Sequence, residues 1–152
     1  MKAVIGIDPG KTGAMALLSA EGDLEIQDWV DAPTVSGKLL EWRSFYQITN
    51  VGLERVHSMP GQGVSSTFKL GENFGIWQGL LLAYGLPFET ITPQTWMKSY
   101  SMVKKVRNDK PSLTVARQLF PAAPLERKKD HGRADALLLA EHVRRNTHAF
   151  RS

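Results

Sequence analysis

The chain contains no cysteine, which excludes a disulfide framework and any metal site built on thiolates. It also lacks an apolar run long enough to cross a membrane. Its basic-then-apolar start is too short for the hydrophobic region of a signal peptide. These absences lead us to expect a cytoplasmic protein with no membrane partner. No internal repeat, heptad pattern or low-complexity tract is present, so solenoids, coiled coils and disordered scaffolds are set aside. What remains is 152 residues of ordinary apolar content, 42%. That is enough for one core and too little for two, so residues 1–152 are read as a single domain. The formal charge is +4 with a pI near 9.5. Most acids lie between Asp8 and Glu89, and most Lys and Arg between Lys98 and Arg145. This asymmetry points to an anionic partner such as nucleic acid, or else to a solvated basic surface.

Patterning predicts an α/β layer architecture. Ala3–Ile7 is a short apolar run that reads as a buried strand. It ends at Asp8 and is broken by Pro9 and Gly10. Gly13–Ser19 and the segment around Leu24 and Ile26 follow as strands of an antiparallel meander, joined by turns containing Gly and Asp. Apolar spacing predicts a helix over Val35–Gln47, with Ser36 as a candidate cap. Val51–Leu53 is a second buried strand, and it too ends in a carboxylate, Glu54. A Gly- and Ser-rich loop over residues 56–66 precedes a long helix reaching about Ala83. On that helix Gly71, Gly75 and Gly79 share one face. Three helical glycines in register imply close packing there, against the sheet, another helix or a second subunit. Leu86–Ile91 reads as a strand, and Thr92-Pro93 opens a helical turn containing Trp96. Pro111 opens another helix, and the last helix spans about Gly132–Arg145. The four tryptophans read as core, with Trp42 and Trp96 possible at an edge.

Three acids stand out. Asp8 and Glu54 end buried strands, and Asp135 lies in the first turn of a helix that continues through Leu137, Leu138 and Leu139. Charge placed at such positions is costly unless it is paired or binds a metal. Asp8 taken alone is either a turn cap or a ligand. Strand ends and a helix N-terminus can converge on one sheet edge, and hard oxygen ligands there suit Mg²⁺ or Mn²⁺.

The motifs GIDPGKTG, LERV, FKLGENFGIWQGLL, TPQTW, LFP and DHGRADALLLA occur in this order from the N-terminus to the last helix. With them the chain resembles the RuvC-type Holliday-junction resolvases, particularly a phage-like branch. The resemblance spans Lys2 to about Arg145 and rests on the ordered set. It implies a ribonuclease H-like fold, with a mixed central sheet of three antiparallel strands and then parallel strands, flanked by helices. It further implies a homodimer that nicks four-way DNA junctions in pairs by two-metal hydrolysis, leaving 5′ phosphates, in a bacterial or phage-infected cell. Two Mg²⁺, replaceable by Mn²⁺, would sit on Asp8, Glu54, Asp135 and a fourth ligand. The family places that ligand three residues before the last aspartate, where this chain has Gly132. Asp130 is the preferred substitute and His131 its rival. Lys98 and Lys110 fall near DNA-contacting positions of the family, with Lys104, Lys105 and Arg107 between them. The face of Gly71, Gly75 and Gly79 becomes a candidate dimer contact.

Three other readings compete with this one. A nuclease of the same fold acting on flap or other branched DNA would use the same acids. A phosphate-binding domain of the actin and sugar-kinase type would use the GIDPGKTG turn, but that fold normally needs two such domains. A DNA-binding module without activity would have no use for three convergent carboxylates, which repel phosphate unless a metal intervenes.

Overall fold

The three apolar segments that open the chain pair as an antiparallel meander in the computed structural model, which describes residues 1–57, 60–100, 111–148 and 150. They are β1 (Lys2–Asp8), β2 (Ala14–Ser19) and β3 (Leu24–Asp28). On the other side of β1, β4 (Gln47–Glu54) and then β5 (Phe88–Ile91) add in parallel, giving the order β3-β2-β1-β4-β5. Strand β1 is therefore central and covered on both faces, which is why its sequence is a continuous apolar run without alternation. Three antiparallel strands followed by two parallel ones, flanked by helices, is the arrangement the sequence led us to expect.

Among the described residues five helices flank the sheet: α1 (Ala32–Phe45), α2 (Val64–Ala83), α3 (Pro93–Lys98), α4 (Pro111–Leu119) and α5 (His131–Asn146). A 3-10 turn at Lys128–Asp130 leads into α5. The pleat sorts the strand side chains into two cores. Ala3, Ile5 and Ile7 of β1, with Val51 and Leu53 of β4, pack with Val35, Leu39 and Trp42 of α1 and Trp77 and Leu81 of α2. Val4, on the alternate face, joins Trp96, Leu113, Ala116 and the apolar stripe of α5.

Helix α5 crosses the sheet at very short range. A Cβ on Gly6 would stand 2.3 Å from both the Ala136 carbonyl oxygen and the Ala140 nitrogen, and one on Gly52 would stand 2.6 Å from Val143. Glycine is thus required at Gly6, where the helix backbone lies on β1 and Ala136 and Ala140 complete the small-residue crossing, whereas at Gly52 it makes room for the side chains of Val143, Ile91 and Leu139.

Several boundaries differ from expectation. Helix α1 starts at Ala32, capped by Asp31, whose carboxylate accepts the Thr34 N–H at 2.8 Å. Ser36 lies inside the helix, and its hydroxyl meets that of Tyr84. Strand β4 begins at Gln47; its polar half, Gln47-Ile48-Thr49-Asn50, conceals it from an apolar pattern. Trp42 and Trp96 are each 1% exposed, so both are core residues and neither sits at an edge.

Candidate active site

Register brings two acids together. Strands β1 and β4 pair in parallel with Ile7 opposite Leu53, so Asp8 and Glu54 are the next residues on neighbouring strands, with backbones about 4.8 Å apart. Parity then selects the face. Gly6 and Gly52, two residues earlier, both face α5, so Asp8 and Glu54 do as well. Asp135 is adjacent to Ala136, the residue that crosses Gly6. All three carboxylates therefore come to one end of the sheet, where Glu54 feels the charges of both Asp8 and Asp135.

The resulting cleft, about 240 Å³, is lined by Glu54, Trp96, Ser112, His131 and Asp135, among others. The indole Nε1 of Trp96 donates to Glu54 Oε2 at 2.7 Å. Burial, then the charges of Asp8 and Asp135, push the Glu54 carboxyl up to about 8 against the pull of that hydrogen bond. Burial also raises Asp8, opposed by the Gly10 N–H, which donates to Oδ1 at 3.0 Å, and by the nearby His131. The turn-cap reading of Asp8 holds for one oxygen, which accepts the Gly10 N–H, and strand parity sets its side chain on the α5 face of the sheet with that of Glu54.

The structure separates the two candidates for the fourth ligand. Asp130 is 1% exposed and is engaged by Arg127, whose backbone N–H, Nε and terminal nitrogen all donate to it at 2.7–3.3 Å. Arg133 adds an ion pair at 3.7 Å. These partners hold its carboxyl below the usual range, and it lies against a different cavity, with Lys11, Asp28 and Arg133. His131 is the residue that enters the carboxylate cleft. The Asp130 carboxylate is thus engaged by guanidinium groups and His131 is the nearer of the two rivals to Glu54 and Asp135. Gly132 cannot carry a ligand because its Cβ would stand 2.0 Å from the Thr12 carbonyl oxygen.

A divalent cation fits this donor set. The donors are hard carboxylate oxygens and an imidazole. Among the described residues neither Asp8 nor Glu54 has an ion-pair partner, and burial together with the Asp8 and Asp135 charges raises the Glu54 carboxyl. No three of the described acidic or histidine side chains are drawn close enough to enclose an ion as they stand.

Lys98 is exposed at the last turn of α3. Lys104, Lys105, Arg107 and Lys110 lie outside the described residues. Gly71, Gly75 and Gly79 are exposed, and among the described residues nothing approaches the positions their Cβ atoms would take. No described strand or other helix occupies that face. Val64, Phe68 and Leu82, 71–88% exposed, extend it along α2. The sequence reading missed the Trp96 hydrogen bond to Glu54 and the Arg127 clamp on Asp130. The spacing of Arg127 and Asp130, three residues apart on a helical turn, is a signal for the second.

Comparison with solved structures decides the architecture. Thermus thermophilus RuvC, solved in complex with a Holliday junction substrate, superposes with a TM-score of 0.65 at 16% identity, over 95% of this chain and 96% of that one. The fold is that of RuvC. A second T. thermophilus RuvC structure agrees, with a TM-score of 0.65 at 18% identity over 94% and 95% of the two chains. The yeast mitochondrial Holliday junction resolvase Ydc2 matches more distantly, with a TM-score of 0.51 at 15% identity over 90% of this chain and 75% of that one. No protein-family model matches the chain. Among curated proteins it is 36% identical over 84 residues to the chloroplastic Holliday junction resolvase MOC1 of Chlamydomonas reinhardtii. That stretch is 54% of this chain and 9% of MOC1. In the RuvC fold of this chain the carboxylate cleft lies at the C-terminal ends of β1 and β4, beside the start of α5. No described helix is long and apolar enough to cross a membrane.

Proposed function

We propose that this chain is a divalent-metal-dependent endonuclease that nicks four-way DNA junctions. The observation that carries the reading is the convergence of Asp8, Glu54 and Asp135 on one sheet edge, with burial and mutual repulsion holding Glu54 up to about 8. Such a site is built for a cation and repels phosphate without one. The RuvC fold and the MOC1 match support the choice of substrate.

Asp8, Glu54, Asp135 and His131 would hold the metal. Bound there, two Mg²⁺ or Mn²⁺ ions supply an activated water and stabilise charge on the leaving 3′ oxygen. The chain's own groups do the positioning. Trp96 fixes one oxygen of Glu54, the Gly10 N–H fixes one of Asp8, and the Gly6–Ala136 crossing sets where Asp135 stands. Lys98 and the basic tract through Lys104, Lys105, Arg107 and Lys110 hold backbone phosphates, giving affinity that is steep in salt and indifferent to sequence. The glycine face of α2, flanked by Val64, Phe68 and Leu82, receives the same face of a second copy. Such a homodimer carries two symmetry-related sites and cuts in pairs.

The test is nicking of end-labelled four-way, Y-form and duplex DNA in Mg²⁺, alone and in competition. The reading requires preferential nicking of the four-way junction with 5′-phosphate ends. Preference for Y-form DNA would assign the same cleft to other branched substrates, and absence of metal-dependent nicking on any DNA would overturn the nuclease reading.

A further inference from the structure

On the other helical layer a larger cavity, about 360 Å³, opens between the turn after β1 and the side of α2. This is within the size range of small-molecule sites. Lys11, Gln62, Ser65, Ser66, Lys69 and Asn73 line it. Asn73 is the unusual member: it is 0% exposed, and among the described residues neither its Nδ2 nor its Oδ1 has a hydrogen-bond partner. An unpaired buried amide is costly and rare in folded proteins, so its presence in a cavity wall points to a ligand that completes it. Asn offers a donor and an acceptor side by side, the pattern that matches the edge of a nucleobase.

The remaining groups suit phosphate. Lys11 and Lys69 are cations and Ser65 and Ser66 carry hydroxyls. The 20-residue α2 begins at Val64 with no side-chain cap and no acid in its first turn. The positive end of its dipole, with no acidic side chain in the first turn, favours an anion there. The Lys69 ion pair with Glu72, 3.0 Å long and exposed at both ends, is of the weak kind that exchanges readily.

We propose that this cavity takes one unstacked nucleotide of the DNA substrate, its base edge on Asn73 and its phosphate on Lys11, Lys69 and the α2 N-terminus. The assignment rests on the nuclease reading and adds a residue that selects sequence. Lys11 is three residues beyond Asp8, so the cavity opens at the same end of the sheet as the carboxylates, and the held nucleotide neighbours the strand being cut. The cavity face lies about 150° around α2 from the glycine face, so a second copy docked on the glycines leaves it open.

Two measurements on the full chain test this. Junctions randomised around the branch point are cut by wild type and by Asn73→Leu, and the ratio among bases at each position is read apart from total rate. Wild type should favour one base at a fixed position by about tenfold or more, and Asn73→Leu should reduce that preference to within about twofold. Identical profiles, or no preference in wild type, would overturn the assignment. Separately, the Asn73 side-chain amide resonances of ¹⁵N-labelled wild type should shift on adding a short single-stranded oligonucleotide, and not with an abasic oligonucleotide of the same length. No shift, or the same shift with the abasic strand, would refute base reading. This second measurement needs neither cutting nor a folded variant. A wild type that cuts no junction therefore removes the nuclease reading, while the cavity is still decided by the resonances.

Discussion

Glu54 offers a test of the cleft that needs no DNA. Its carboxyl is pushed from an ordinary 4.5 up to about 8 by burial, Asp8 and Asp135. A folded value above the unfolded one means that the folded state holds the proton more firmly. Below the unfolded value both states are protonated and nothing is lost. As pH rises toward 8 the unfolded chain releases its proton and gains relative to the fold, so stability falls across pH 4.5–8. The full span corresponds to a ceiling of about 5 kcal/mol. Solvent in the open cleft reduces this, and about 2–3 kcal/mol between pH 5 and 8 is expected. Glu54→Gln imitates the protonated side chain and can still accept the Trp96 N–H, so it removes this slope. In urea unfolding with chelator present, wild type and variant should be of similar stability at pH 5, with wild type weaker by about 2–3 kcal/mol at pH 8. Millimolar Mg²⁺ at pH 8 should restore wild type and leave the variant unchanged. His142, whose imidazole burial pushes down, contributes the opposite slope to both proteins and cancels in the difference. Parallel pH profiles for the two proteins would refute the picture of a desolvated Glu54 carboxyl raised by neighbouring acids.

Other outcomes follow from particular contacts. Asp130→Ala strands the Arg127 clamp and should cost about 2–3 kcal/mol in urea unfolding. His131→Ala should stay within about 1 kcal/mol of wild type while losing most Mg²⁺-dependent nicking; the reverse pattern would return the ligand role to Asp130. Gly132→Ala drives a methyl into the Thr12 carbonyl and should destabilise by about 1–3 kcal/mol, read as a lower thermal midpoint. Phe68→Glu, at a position 71% exposed, should convert a sedimenting dimer to a monomer with unchanged far-UV circular dichroism. A wild type that sediments as a monomer with and without junction DNA would remove the paired-cut model.

Much of this arrangement is legible in the chain because burial and parity leave few choices. An apolar run that ends in Asp-Pro-Gly has to deliver Asp8 to a strand end. A second such run delivers Glu54, and parallel pairing sets the two side by side. The crossing of α5 on Gly6 is not legible, since a glycine in a strand does not say which element approaches it. Nor is the choice between Asp130 and His131. They are neighbours where a 3-10 turn becomes an α-helix, and a change of one residue there turns a side chain from the Arg127 clamp into the cleft. Asn73 is hidden for another reason: it sits among the evenly spaced glycines of α2 and reads as a polar surface residue until the fold buries it. Gly71, Gly75 and Gly79 show the converse. Their spacing announces a close contact, and the described residues of the chain supply none.

The central claim is that Asp8, Glu54 and Asp135 form the metal-dependent centre of a junction-cutting nuclease. The most direct measurement is a Mg²⁺ titration of nicking on a synthetic four-way junction by wild type and Asp8→Asn, with junction binding followed in parallel. The account predicts nicking by wild type that rises with Mg²⁺, and in Asp8→Asn a loss of at least about a hundredfold with junction binding retained. Nicking by Asp8→Asn at the wild-type rate, or by wild type in the presence of chelator, would contradict it.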